Sequence, residues 1–501
     1  MAIKALLRGR MSGKGKPERL FGRDTEWREL TEFASTPTLG ATLGLVYGRR
    51  RQGKTLMLEL LARQTSGFLF AATQQSEAQN LADLGAAYGA FLGLRQPLSF
   101  PSWREALEEL FRLGEDRAIP VIIDEFPYLI SASPGLPSYI QQALSPLSFA
   151  KERSRTRMIL CGSALTTMAE LLGGGAPLRG RASMELVVRP FRYREAAAFW
   201  RVSHDPELAF RLHALLGGTP AYLEMSGGSP PSSTADFDDW VARRLLNPAS
   251  AMFREGSLLL REESSISDPT SYAATLAALS AGNHRRSEIA SALGRPSTAL
   301  SHLLSGLRDI SLIDQVDDAL REKRSMYRIA EPVVRLHQLL IQRHEPELVI
   351  GRAGRVWAGS ADTVAGKIYG PHFEDLAREW CFEHADPETV GGVAARVRPT
   401  EIACREHRQG HEIDIVVTES PSFSAERITA IGEAKWTNSV TDVPHLQRLE
   451  HLRGLLPAAK VGPLPKLLLF GRSGFTERLR RVADARVDVE LVDLDRLYTG
   501  S

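Results

Sequence analysis

The octet Gly48-Arg49-Arg50-Arg51-Gln52-Gly53-Lys54-Thr55 constrains this chain more than any other stretch. It follows the apolar run 43–47 and precedes helix-forming residues that begin at Thr55. It satisfies G-x-x-x-x-G-K-[ST] in the strand–loop–helix setting that the pattern needs. Glycines at both ends let backbone N–H groups turn onto phosphate oxygens with no side chain in the way. Lys54 brings a cation to the outer phosphates, and the Thr55 hydroxyl can bind magnesium.

Two further strands fit the same sheet. The run Val121-Ile122-Ile123 leads into Asp124-Glu125. An unbroken apolar run is how a strand buried on both faces reads, and carboxylates at its carboxyl end sit where α/β folds bind ligands. Asp124 is the expected Mg²⁺ ligand and Glu125 the group that polarises an attacking water. The strand "RMILCGSALTTM" ends at Gly162-Ser163; Ser163 either senses the γ-phosphate or caps a turn.

At 501 residues and 43% hydrophobic content the chain has room for about three domains. Its 62 basic and 60 acidic side chains leave a net charge of only +2, so any nucleic-acid surface must be local. One basic excess lies in residues 1–19, where Lys4, Arg8, Arg10, Lys14, Lys16 and Arg19 face only Glu18; this reads as a flexible tail. Cys161, Cys381 and Cys404 are far apart and form no CxxC pair. That argues against a disulfide scaffold or structural zinc and fits a reducing, cytoplasmic setting. No apolar run reaches the roughly 18 residues of a membrane helix, and the N-terminus does not read as a signal peptide.

Residues 20–192 form the expected ATPase core and 193–262 a helical lid, where "AFRLHALLGG" closes on paired glycines. Residues 263–345 carry three short helical patterns and a two-stranded wing, a helix-turn-helix arrangement. Arg295, Ser297, Thr298, Ser301 and His302, with Arg321, Lys323 and Arg324 at the wing tip, are candidate DNA contacts. The same domain also reads as a packing module, because its recognition face has few cations.

Residues 346–364 read as a linker to a last domain, 365–501. Its first helix places Glu374 near its start, with Phe373, Leu376, Ala377 and Trp380 inward. Strand alternation puts Glu412 and Asp414 on one face of "EIDIVV", with Ile413 and Ile415 on the other. In "IGEAKW" it puts Glu433 and Lys435 on one face, with Ala434 and Trp436 on the other. Adjacent strands then present Asp414, Glu433 and Lys435 together. Carboxylates suit Mg²⁺ or Mn²⁺, and Lys435 can orient water or stabilise charge on a phosphate. Glu374 can complete the metal shell, and His445 and Gln447 lie on the next helix.

With "LFGRDTEWREL", the phosphate loop, "IIDEF", "CGSALTTM", "APLRGRASMELVVRPF" and "LLGGTPAYLE", the chain resembles the AAA+/STAND P-loop ATPases of archaea and bacteria. One branch of that group often carries a nuclease-like C-terminal domain. The resemblance implies that Phe21, Gly22 and Arg23 lie near the adenine. It implies that Arg49, Arg50, Arg51, Gln52 and Leu56 belong to the nucleotide cradle with the motif residues. It makes Arg181 the arginine that approaches the phosphates, in its own chain or across a homo-oligomer. Gly218, Thr219 and Pro220 would open the lid, with Pro220 at the nucleotide. Arg179 departs from the pattern, since relatives show an aromatic residue there, and this leaves open which of Arg179 and Arg181 faces nucleotide. Residues 365–501 resemble the PD-(D/E)xK, restriction-endonuclease-like domains.

The expected fold is therefore multidomain α/β: a parallel P-loop sheet, a helical lid, a winged helix and an α/β nuclease-like domain. The implied activity is ATP hydrolysis coupled to a metal-dependent nuclease acting on DNA, with RNA left open, in genome maintenance or defence. The alternative is a STAND-like ATP-dependent switch or transcription regulator whose nuclease-like domain does not cut.

Overall fold

The computed structural model describes residues 15–263, 266, 268–321, 324–404, 408–420 and 426–501. The chain folds as two compact units. The first runs to Pro190 and takes in Thr219–Ala221; the second holds Phe191–Gly218, Tyr222–Glu262 and Ile266–Ser501.

In the first unit, β1 (Thr42–Tyr47), β2 (Phe68–Ala71), β3 (Ile119–Asp124), β4 (Thr156–Gly162) and β5 (Ala182–Val187) form one sheet in the order β2-β3-β4-β1-β5. Every pairing is parallel. Alternate residues of the central strands enter two cores. Leu43, Leu45, Val121 and Ile123 meet Trp103 and Leu107 on one face. Val46, Ile122, Ile159 and Cys161 meet Trp27 of helix α1 (Asp24–Ser35) and Leu58 and Leu61 of helix α2 (Lys54–Thr65) on the other. Burial on both faces is why these strands are apolar without alternation.

The second unit begins with the lid helices α3 (Tyr193–Phe199), α4 (Pro206–Leu216), α5 (Phe237–Arg244) and α6 (Met252–Arg261). Next come α7 (Pro269–Ser280), α8 (Arg286–Leu293) and α9 (Leu300–Asp309), and an antiparallel hairpin of β6 (Ile313–Asp317) and β7 (Ser325–Ile329). Gly294 ends α8 in the left-handed conformation, and Leu300, Leu303, Leu304 and Leu307 are buried on α9. The three-helix-and-wing pattern is present.

The stretch read as a linker is helical instead. Helix α10 (Ala353–Gly359) buries Val356 and Trp357, and Trp357 Nε1 donates to Asp238 of α5 at 2.8 Å. Ala361–Val364 and the wide turn Ala365–Tyr369 then run straight into α11 (Gly370–Glu383). The glycines suggested a flexible connection, but burial of Val356, Trp357 and Val364 decides the conformation.

The final sheet has the order β12-β11-β10-β9-β8. Strands β8 (Arg396–Cys404), β9 (Gln409–Glu419) and β10 (Arg427–Lys435) are antiparallel, while β11 (Val461–Gly471) and β12 (Val489–Val492) add in parallel. Helix α11 covers one face with Phe373 and Trp380 against Ala430, Ala434 and Phe470. Helix α12 (Val443–Gly454) covers the other with Leu446 and Leu449 against Ile431 and Leu469. Ile413 and Ile415 were expected on one face, yet Ile413 joins the α12 core and Ile415 the α11 core. The register explains this: Arg398 pairs Val416 and Thr400 pairs Ile413, so Pro399 alone opposes Asp414 and Ile415. Pro399 has no N–H for the ladder, and the extra residue makes a β-bulge that re-aims Asp414.

The lid and the last domain share a core. Phe210 of α4 stacks on Trp436 with ring centroids 3.9 Å apart and planes 20° from parallel, and Tyr369 and Phe373 flank the indole at 5.5 and 5.6 Å. Trp436→Ala should cost about 3–5 kcal/mol through lost burial and the cavity left behind. Urea denaturation followed by a probe in the second unit checks this; an unshifted midpoint would contradict the packing.

Candidate functional site

The phosphate loop is shaped by backbone needs. A Cβ on Gly48 would lie 2.2 Å from the Val188 carbonyl oxygen, so β5 admits only glycine there. Gly53 has φ 83°, in the left-handed region that favours glycine. Lys54 is buried, and its Nζ donates to the carbonyls of Gly48 and Arg49 at 2.6 and 2.7 Å. Burial pulls the Lys54 ammonium below its usual value against the attraction of Asp124 and Glu125. The loop is thus closed around its own lysine.

Parallel strands bring the other groups to the same edge. Thr55 Oγ1 donates to Asp124 Oδ2 at 2.8 Å, while Asp124 Oδ1 accepts from the Glu125 N–H at 2.9 Å. These hard oxygens, together at one point, fit Mg²⁺. Glu125 takes a left-handed backbone, φ 51°, and its Oε2 accepts from Ser163 Oγ at 3.2 Å. Since β4 lies between β1 and β3, Ser163 at its end reaches the Glu125 carboxylate. A second ring surrounds the loop. Arg23 Nη2 donates to the Gln52 carbonyl at 3.3 Å, Gln52 Nε2 to Thr219 Oγ1 at 3.0 Å, and Arg50 to the Tyr128 hydroxyl at 3.1 Å. Arg49 is buried, Arg51 has a left-handed backbone, Phe21 and Leu56 are exposed, and Pro220 is half-buried. Gly22 is left-handed and accepts from Lys16 at 2.6 Å. Arg181 bonds the Leu144 carbonyl at 3.5 Å and Arg179 that of Gly174 at 2.6 Å. The structure brings together Lys54, Thr55, Asp124, Glu125 and Ser163; it gives Arg179 and Arg181 backbone partners elsewhere.

A second polar centre lies on β9 and β10. At the bulge, Asp414 Oδ2 accepts the Ala434 N–H at 3.0 Å. Glu433 Oε1 pairs with Lys435 Nζ at 2.8 Å and also with Arg448 of α12. Glu433 Oε2 is buried with no hydrogen-bond partner. Burial pushes Asp414 up to about 6, with Glu433 and Glu412 adding to it and the Ala434 N–H and Lys435 opposing. Burial works against the Lys435 charge, but Glu433 and Asp414 outweigh it and hold the ammonium above its usual value. Burial and then Asp414 push Glu374 well above the carboxylate range. The Asp414 carboxylate and the orphaned Glu433 Oε2 are oxygen donors of the kind a hard divalent cation takes. Among the described residues no group of three or more His, Cys, Asp and Glu side chains closes a metal shell.

Glu374 is turned toward cations. Its Oε2 lies 3.8 Å from both Arg328 of β7 and Arg378 of α11. Arg378 also donates to the Asp414 carbonyl at 2.7 Å. Sequence reasoning missed Arg328, Arg378 and Arg448. Only Arg378 had a local signal, as the i+4 neighbour of Glu374 on one helix. His445 helps cap α12 through Asp442, and Gln447 is exposed.

On the winged helix, Arg295, Ser297, Thr298, Ser301 and His302 are exposed, as is Arg321. Arg324 instead pairs with Glu401 of β8 at 3.0 Å, and Lys323 and residues 1–14 of the basic tail lie outside the described residues. Cys161, Cys381 and Cys404 are buried free thiols. Among the described residues no helix is long and apolar enough to cross a membrane.

No family model matches the chain. An uncharacterised protein of Methanocaldococcus jannaschii is 26% identical over 291 residues, 57% of this chain and 61% of that relative; the chain thus spans less than two thirds of its length. A Walker-type ATPase of Pyrococcus abyssi has a similar fold, with TM-score 0.50 and 23% identity over 66% of this chain and 99% of that one. The ORC2 protein of Aeropyrum pernix, in its ADPNP–ADP complexes, aligns at TM-score 0.42 and 16% identity over 70% of this chain and 97% of that one. The first unit is accordingly a parallel α/β sheet of the P-loop ATPase kind.

Asp414 titrates higher in the folded chain than in the unfolded one, so its contribution to stability is full below about pH 4 and is lost as pH rises through about 6. Asp414→Asn cannot ionise. In metal-free protein it should be more stable than the parent by about 2 kcal/mol at pH 7.5, with the gap closing toward pH 4. Denaturation at both pH values checks the sign.

Proposed function

We propose that this chain binds and hydrolyses ATP with Mg²⁺ at the edge of β1, β3 and β4, and that residues 365–501 are a Mg²⁺- or Mn²⁺-dependent nuclease acting on DNA. The observation that carries the first part is the paired array Thr55–Asp124 and Ser163–Glu125 beside the buried Lys54. Thr55 and Asp124 would hold Mg²⁺, which neutralises charge on the phosphates. The Lys54 ammonium exchanges the Gly48 and Arg49 carbonyls for the outer phosphate oxygens. Glu125, steered by Ser163, orients the attacking water. Arg181 is the arginine proposed to reach the phosphates, in the same chain or from a second copy. The fold likeness to a Walker-type ATPase supports this reading.

For the nuclease, Asp414 and Glu433 would hold the metal, which supplies an activated water, with Glu374 as a third ligand. Lys435, already beside Glu433, is the cation for charge developing on the phosphate. The exposed face of α9 supports a role in holding DNA. The lid shares its core with this domain, which supports control of cutting by ATP, in genome maintenance or defence.

Lys54→Ala should lower ATP hydrolysis by about 100-fold or more, and Glu125→Gln should bind ATP while hydrolysing it about 100-fold more slowly; a phosphate-release assay reads both. Supercoiled, linear and branched DNA, and RNA, incubated with Mg²⁺ or Mn²⁺ should be cut by the parent chain and left intact by Lys435→Ala, whose ATP hydrolysis is unchanged. A cutting rate insensitive to ATP and to Lys54→Ala would remove the coupling.

One observation favours a second reading. Glu374 is paired with Arg328 and Arg378, which suits a non-cleaving domain in an ATP-dependent switch or transcription regulator. DNA binding and ATP hydrolysis with every substrate left uncut would decide for it.

A further inference from the structure

The winged helix is docked on the last domain through its wing. The Ala319 N–H donates to the Pro399 carbonyl at 3.0 Å, and Thr400 Oγ1 to Asp318 Oδ1 at 2.7 Å. Arg324, 3.0 Å away, and Arg285 of α8 both pair with Glu401. Beneath these contacts Arg328 of β7 is 9% exposed and reaches the acidic centre. Its guanidinium lies 2.5 Å from Asp375 Oδ1 and 3.8 Å from Glu374 Oε2. Arg378 makes the same two contacts at the same distances, but it belongs to α11 and stays with the carboxylates wherever the wing goes. Among the described residues, one of the two arginines ion-paired with Glu374 and Asp375 therefore comes from another domain.

The dock combines the buried Thr400–Asp318 bond and the packing of Ala319 and Leu320 on the last domain's core with partly exposed ion pairs at Glu401. The ion pairs are the part that water replaces at small cost, and beside them lies an open cavity of about 300 Å³ lined by His284, Arg285, Glu401 and Glu412, among others. Arg295 after α8 and Ser301 and His302 of α9 are exposed, so a ligand can grip the winged helix from outside while the wing is docked.

We propose that Arg328 is a latch: the docked wing holds Glu374 as an ion pair and withholds it from the metal, and undocking of the winged helix frees Glu374 to join Asp414 and Glu433. This rests on the metal reading of that site. Arg328 touches neither substrate nor metal in this scheme; it acts through Glu374. With the wing lifted, the Glu374–Asp375 pair loses one of its two ion-paired arginines, and its attraction for a cation rises.

The test is Mn²⁺ binding to the nucleotide-free full chain at pH 7.5, followed by electron paramagnetic resonance of the free ion. Asp414→Ala marks which binding belongs to this site. Two variants weaken the latch differently: Arg328→Gln removes its cation, and Glu401→Ala loosens the dock without touching the acidic centre. Circular dichroism and thermal melts confirm that each is folded. The expected result is Asp414-dependent Mn²⁺ binding that tightens about tenfold in both variants. Equal affinity in the parent chain and both variants overturns the latch and leaves the metal site standing. Tightening in Arg328→Gln alone overturns undocking as the means of release. Absence of any Asp414-dependent Mn²⁺ binding overturns the metal reading and the latch together.

Discussion

The stack of Phe210 on Trp436 is the contact on which the second unit depends. Trp436 directly follows Lys435, so the helix that carries Phe210 fixes the end of the strand that carries Glu433 and Lys435. Arg472 strengthens the joint, lying 4.7 Å over the Trp436 ring and 2.6 Å from Glu207 at the start of α4. Tyr193 of α3 adds a hydrogen bond from its hydroxyl to the Leu497 carbonyl at 2.7 Å. A lid built this way is part of the C-terminal core. Close-packed interiors transmit displacement because they have few voids to absorb it; a shift of α4 has to be answered at β10.

The chain also ties the lid to the nucleotide loop by covalent continuity. Thr219–Ala221 belongs with the first unit, where Thr219 accepts from Gln52 and the Ala221 N–H donates to the Arg51 carbonyl at 3.4 Å. Gly218 before it and Tyr222 after it belong to the second unit. Three residues, two of them hydrogen-bonded to the phosphate loop, are thus spliced between α4 and the rest of the short helix Ala221–Met225.

What could be read from the sequence follows how local its cause is. Phosphate chemistry demands Gly48, Gly53, Lys54 and Thr55 within one turn, so the loop and its strand were legible at once. Helix α9 was legible because Leu300, Leu303, Leu304 and Leu307 mark a buried face at helical spacing. The helical connection was obscured by Gly351, Gly354 and Gly359, whose propensity is outweighed by burial of Trp357, a tertiary effect. Simple alternation through Asp414 failed because a proline on the neighbouring strand, Pro399, inserts a bulge; the cause lies 15 residues away in sequence and acts only once the strands pair. Arg328 and Arg448 were invisible for the same reason, since each meets its carboxylate only after domains or elements have docked.

The arginines answer a problem any such centre must solve. Carboxylates gathered in one buried place lose hydration and repel one another, and these two effects push Asp414 and Glu374 up. Neutral protonated acids would relieve the repulsion, but at the expense of metal affinity near neutral pH. Cations from the protein relieve part of it: Lys435 acts to lower Asp414 and Arg328 to lower Glu374, while burial keeps both raised. On the β10 side those cations, Lys435 and Arg448, come from the same domain and face solvent in part. On the α11 side Arg378 is also resident, yet Arg328 is borrowed from the wing. A centre balanced by its own residues alone responds only to its metal and substrate. One balanced in part by a neighbouring domain depends also on where that domain sits, and among the described ion pairs of Glu374 the one to Arg328 has that dependence.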